Sequence, residues 1–166
     1  MSWTDESMPP LDLNSWRQTG LIHLWRFTEN VKNYPGWHLA TDPTGHASFL
    51  DLLTRLRVTS EPGASRTVHA TSPSAKVLAI VNNRLSPVVS PSRVRVARNG
   101  IADQWTITEG EADVTVTMGS EHLDGIIRWL GDPAAAFDTT YGKDPPLWFW
   151  GRGGAEVDGD RRRAAG

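Results

Sequence analysis

The chain has 166 residues, 39% of them hydrophobic and 22% charged, with a formal net charge of −2, eight tryptophans and no cysteine. That length suits one domain, with enough chain to bury a core that needs no covalent staples. The lack of cysteine excludes disulfides, thiolate zinc sites, iron–sulfur ligation and cysteine nucleophiles.

The N-terminal residues Met-Ser-Trp-Thr-Asp-Glu lack the basic start and apolar core of a secretory leader. No apolar run approaches the roughly 20 residues of a membrane helix. These features predict a soluble, cytoplasmic protein, and the Arg-, Ala- and Gly-rich usage suggests a bacterial one. Charge is distributed unevenly. Residues 51–100 carry eight Arg or Lys against Asp51 and Glu61, whereas 101–150 carry nine acids against Arg128 and Lys143. Opposite blocks of this kind are expected to neutralise each other across neighbouring strands.

In chain order, residues 1–19 read as an extended lead-in held by Trp16. Residues 20–29 read as a strand. Ile22, Leu24 and Arg26 face one way and Leu21, His23, Trp25 and Phe27 the other, so both faces are apolar, as in a central strand. Asn33-Tyr34-Pro35-Gly36 is a turn, and Trp37 to Thr41 a short strand. Asp42 and Pro43 suit the cap and first position of a helix reaching residue 57, with Phe49, Leu50, Leu53 and Leu56 as its apolar stripe. A Ser-, Pro- and Gly-rich stretch over 59–75 holds one short strand, Arg66 to Ala70. Val77 to Val81 is either a buried strand or a helical turn.

After the Pro/Ser stretch 86–92, Val94 and Val96 alternate with Arg93, Arg95 and Ala97, which places arginines on the outer face of a strand. Asn99-Gly100 signals a turn. Gln104 to Thr108 and then Ala112 to Met118 complete a predicted meander, turned at Glu109-Gly110-Glu111. Ser120 is the expected cap of a second helix, with Leu123, Ile126, Ile127 and Leu130 as its stripe and Gly131 as its stop. Residues 132–146 read as irregular. Leu147-Trp148-Phe149-Trp150 reads as a last docked strand, Trp148 and Trp150 on one face and Leu147 and Phe149 on the other. Residues 151–166 read as a flexible tail.

The predicted class is α+β: a mainly antiparallel sheet of five to seven strands with two principal helices, about 42–57 and 120–130, in a single domain over 20–150. No repeat, heptad or phosphate-binding loop is present, nor a Gly-x-Ser-x-Gly nucleophile motif. The nearest histidine cluster is His38, Asp42 and His46. It can act as acid, base or metal ligand, or simply cap and pack the first helix. No cofactor and no metal are expected.

Arg84, Arg93, Arg95 and Arg98 form a modest basic patch. A pI near 6.2 argues against a dedicated nucleic-acid binder. Trp25, Trp105 and Trp129 lie in patterned segments and read as packing. Trp37, Trp148 and Trp150 lie at a turn exit and in the final aromatic segment, where tryptophan often anchors an interface. The expected function is non-catalytic binding of another protein, of accessory, adaptor or immunity type. The expected surface is Trp148 and Trp150 with Trp37, or the face of Arg93 and Arg95. The alternatives are a small enzyme or metal binder using His38, Asp42 and His46, weak nucleic-acid binding through the arginines, and self-association through the C-terminal aromatic segment.

Overall fold

The computed structural model describes residues 12–29, 32, 35–59, 61, 63–79, 87–132 and 139–150. Trp3, Asn33, Tyr34, Val81, Arg84 and the tail from 151 lie outside the described residues, so the expectations placed on them have no structural account.

The class is α+β with two principal helices, and the strands divide between two largely antiparallel sheets. The first sheet holds five strands in the order β4-β1-β2-β9-β8. Its members are β1 (Ile22–Phe27), β2 (Trp37–Thr41), β4 (Val88–Val89), β8 (Thr139–Tyr141) and β9 (Leu147–Phe149). The second holds four, in the order β3-β5-β7-β6: β3 (Ser65–His69), β5 (Arg93–Arg98), β6 (Trp105–Glu109) and β7 (Asp113–Met118). Three helices complete the chain: α1 (Pro43–Val58), the single turn α2 (Ala75–Leu78) and α3 (Ser120–Gly131).

Local sequence explains α1 well. Asp42 accepts the Gly45 N–H at 2.7 Å and Pro43 opens the first turn. The buried stripe is Phe49, Leu52, Leu53 and Leu56, the i, i+3, i+4, i+7 set; Leu52 replaces the expected Leu50, which is only half-buried. These side chains, with Leu123, Ile126 and Leu130 of α3, meet the inner faces of both sheets in one core. Ile22, Leu24, Leu39, Leu147 and Phe149 come from the first sheet, and Val68, Val94, Val96, Val114, Val116 and Met118 from the second. Trp16 seals the lead-in, its indole N–H donating to the Ser48 carbonyl at 2.9 Å.

Two of the predicted elements need correction. The predicted meander does not form across Asn99-Gly100, because β5 pairs in parallel with β7 and β6 pairs on the far side of β7. Only the β6–β7 hairpin is antiparallel and sequential, closed by the Gly110 N–H on the Asp113 carbonyl at 2.7 Å. The connection over 99–104 therefore crosses the end of β7. There the Ile101 carbonyl lies against Gly119 where any Cβ would sit. Gly119, and not Ser120, is the N-cap of α3, and no side chain caps the helix there. Second, the irregular stretch 132–146 contributes β8. Of the two alternatives open for 77–81, Val77 and Leu78 take the helical turn, α2, which ends at Leu78.

Opposite charges do meet across elements. Arg93 pairs with Asp113, its register partner on β7, at 2.9 Å, and Arg57 of α1 pairs with Asp124 of α3 at 2.6 Å. Arg26 ties the two sheets together, placing two guanidinium nitrogens on the Glu109 carboxylate at 2.8 and 3.0 Å. That hydrogen bond holds the Glu109 carboxyl below its ordinary value of 4.5. A carboxyl lowered on folding adds stability above its ordinary range and loses it as pH falls through the lowered value. Glu109→Gln is therefore expected to cost under about 1 kcal/mol near pH 7, since the pair is partly solvated. The difference from wild type should vanish in acid. Urea melts at pH 7 and pH 3 check this, and a gap that widens in acid contradicts it.

Candidate functional site

Period-2 alternation sends Ile22, Leu24, Leu39, Leu147 and Phe149 inward and puts a second set of side chains on the other face of the first sheet. That outer face carries His23, Trp25 and Phe27 from β1, His38 and Ala40 from β2, and Trp148 and Trp150 from β9 and its end. Val77 and Leu78 of α2 pack over part of it, forming a smaller apolar cluster.

The centre of this face is a row of stacked rings. Trp25 and Trp148 occupy the positions that register on either side of His38. The His38 imidazole stacks on Trp25 at 5.6 Å between centroids, on Trp148 at 5.9 Å and on Trp150 at 5.8 Å. Trp148 and Trp150 stack on each other at 5.7 Å. The Trp150 indole N–H donates to His38 Nδ1 at 2.9 Å. An indole nitrogen only donates, so Nδ1 is the unprotonated nitrogen of the ring. Trp148 is half-buried, with its N–H on the Pro35 carbonyl at 2.8 Å.

Beside this row, towards the end of β2, a cleft of about 300 Å³ opens between the strands and the segment leading into α2. Leu21, Ala40 and Val77 supply apolar wall, and His23, Asp42 and Lys76 supply polar groups. Leu21 is 47% exposed, unusual for a large apolar side chain and here part of the cleft. The His23 side chain is almost fully buried, and its Nδ1 bonds the Thr71 carbonyl at 3.0 Å. A carbonyl only accepts, so Nδ1 carries the proton. Asp42 is occupied structurally, one carboxylate oxygen accepting both the Gly45 and Leu21 N–H groups.

The predicted site residues separate. His38 lies in the ring stack, Asp42 caps α1, and His46 reaches away to the Leu130 carbonyl at 2.7 Å. No group of three or more His, Asp or Glu among the described residues is placed to hold a metal ion. Trp37 points into the main core, 3% exposed, beneath the Arg26 guanidinium at 5.8 Å. It therefore shares no face with Trp148 and Trp150. Of those two, Trp150 is buried.

Arg93 and Arg95 project from the outer face of the second sheet, among the exposed Thr67, His69, Thr106 and Thr108. The Arg95 Nε donates to the Ser65 hydroxyl at 2.9 Å. Arg98 turns instead to the end of α1, donating to the carbonyls of Leu56, Arg57 and Thr59. Trp25 is fully buried, whereas Trp105 and Trp129 are half-buried against the main core.

The cleft was not legible as a site. Its walls come from Leu21, His23, residues 40–42 and residues 71–77, and no spacing in any of these pieces signals the others. The side of β1 that carries His23 was legible from alternation. Its pairing with Thr71 was not. No family model matches the chain, and neither a curated protein nor a solved structure matches it.

Proposed function

We propose that the protein acts by binding a partner protein that presents acidic groups to the outer face of the second sheet. The supporting observation is exposure. Of the five residues singled out for binding, Trp37 and Trp150 are buried and Trp148 is half-buried, whereas Arg93 and Arg95 stand open on a sheet face. Arg95 has no ion-pair partner among the described residues. Its guanidinium can take a partner carboxylate bidentately, and the flat row of threonines around it offers short hydroxyls that cost little entropy to order. Asp113 offsets the charge of Arg93, and Arg98 turns away to the end of α1, which leaves little positive charge on this face for a phosphate backbone.

Affinity capture from cells that make the protein, followed by reconstitution with the purified partner, tests this. One near-stoichiometric protein is expected with wild type and with Trp148→Ser. Arg95→Glu should weaken the reconstituted complex about tenfold or more, because a desolvated charge pair becomes a repulsive one. Binding indifferent to Arg95→Glu, or salt-sensitive retention of nucleic acid in place of a protein, overturns the reading.

A further inference from the structure

We propose that the cleft between β1, β2 and the Thr71–Val77 segment is a binding site for a small apolar carboxylic acid carrying a hydroxyl. This is a second site, separate from the partner surface on the other sheet.

The size comes first. About 300 Å³ stands at the low end of pockets that hold small organic ligands, which suits a compact molecule. The walls come next. Leu21, Ala40 and Val77 present hydrocarbon, and Leu21 leaves nearly half its surface in water. An apolar ligand body laid against Leu21 removes that surface from water.

Two polar groups, beside the hydroxyl residues Thr41, Thr71, Ser72 and Ser74 that also line the cleft, bear on the rest of the ligand. His23 is nine-tenths buried, and its Nδ1–H is committed to the Thr71 carbonyl. Nε2 is the ring nitrogen left without a protein partner among the described residues. Nε2 is not among the buried unpartnered atoms of the described residues, so it keeps some contact with water, and a ligand hydroxyl, which both donates and accepts, can take that water's place. Lys76 also lines the cleft, is exposed, and forms no ion pair among the described residues. Its ammonium can pair with an anionic group of a molecule bound in the cleft. Asp42 faces the same cleft, but both backbone N–H groups it accepts fall on one oxygen and fix it to α1. A second negative group on the ligand would be repelled by this carboxylate. A hydroxy monocarboxylic acid with a branched or aromatic body satisfies all these demands together.

Titration of the full chain with 3-phenyllactate and with 2-hydroxy-4-methylpentanoate, followed by NMR, tests the proposal. Saturable shifts are expected at Ala40, Val77 and the His23 ring. Methyl esters of the same acids, and the Lys76→Gln variant with the free acids, should each bind about tenfold more weakly. Lys76 is exposed, so this variant keeps the fold. Analogues lacking the hydroxyl, 3-phenylpropionate and 4-methylpentanoate, should lose several-fold without any change to the protein. No saturable shift with either hydroxy acid, shifts that map away from the cleft, or equal binding of acid and ester overturns it.

Discussion

Trp150→Phe is expected to destabilise the protein by about 2–3 kcal/mol, whereas the same substitution at Trp25 costs about 1 kcal/mol or less. Both indoles are buried on one face of one sheet, and both stack on His38. The volume lost is the same. The nitrogen differs. Trp150 donates its N–H to His38 Nδ1 at 2.9 Å, so phenylalanine there removes a donor from a buried ring nitrogen. Trp25 Nε1 has no hydrogen-bond partner among the described residues although it is fully buried. Phenylalanine at Trp25 gives up packing but also removes a polar group whose burial was uncompensated, and the two effects oppose each other. Urea unfolding of the two variants, read at matched m-values, checks the ranking. Equal losses would mean that the Trp150–His38 bond carries no net stability.

The second large effect is expected at Gly45, in the first turn of α1. A Cβ at this position would run into the Leu21 carbonyl, backbone against backbone, with no flexible side chain to yield. Asp42 holds these two segments together, since one of its oxygens accepts from Leu21 at 2.9 Å and from Gly45 at 2.7 Å. Gly45→Ala must therefore push the helix away from the start of β1 and weaken both bonds. A loss of about 3 kcal/mol is expected, at the upper end of overpacking costs. Gly131→Ala is the control. It lies at the end of α3 with open space around its Cα, so alanine should leave stability within about 0.5 kcal/mol of wild type or raise it. Thermal melts of the pair decide the matter. A mild effect at Gly45 would show that the helix start can slide over Leu21.

Much of the fold was legible residue by residue. Asp42-Pro43 announced α1 because a cap side chain and a proline act within one turn. Alternation at Leu147-Trp148-Phe149-Trp150 assigned each ring to its face before any partner strand was known. The two-faced apolar pattern of β1 marked it as an interior strand, and it lies between β4 and β2. All of these depend on neighbours a few residues away.

The misreadings share the opposite cause. Asn99-Gly100 has the chemistry of a hairpin turn, but β7 displaces β6 from the side of β5, and the loop becomes a crossing that Gly119 accommodates. Local turn propensity is worth little against six residue pairs of parallel ladder and a shared core. His38, Asp42 and His46 stood close in sequence, yet strand alternation and helix rotation sent them to the ring stack, the helix cap and α3. Trp37 and Trp148 also belong to one aromatic sheet but to opposite faces of it.

The sequence by itself determined the α+β class, the two principal helices and which side chains share each strand face, because those properties follow from periods of 3.6 and 2 residues and from caps. Only the tertiary structure decided the rest. It set the parallel pairing of β2 with β9, joining Trp150 to His38 across 112 positions of chain. It also made the cleft where Leu21 and His23 meet Lys76. Contacts so distant along the chain leave no local pattern, since their free energy is realised only when the whole core closes.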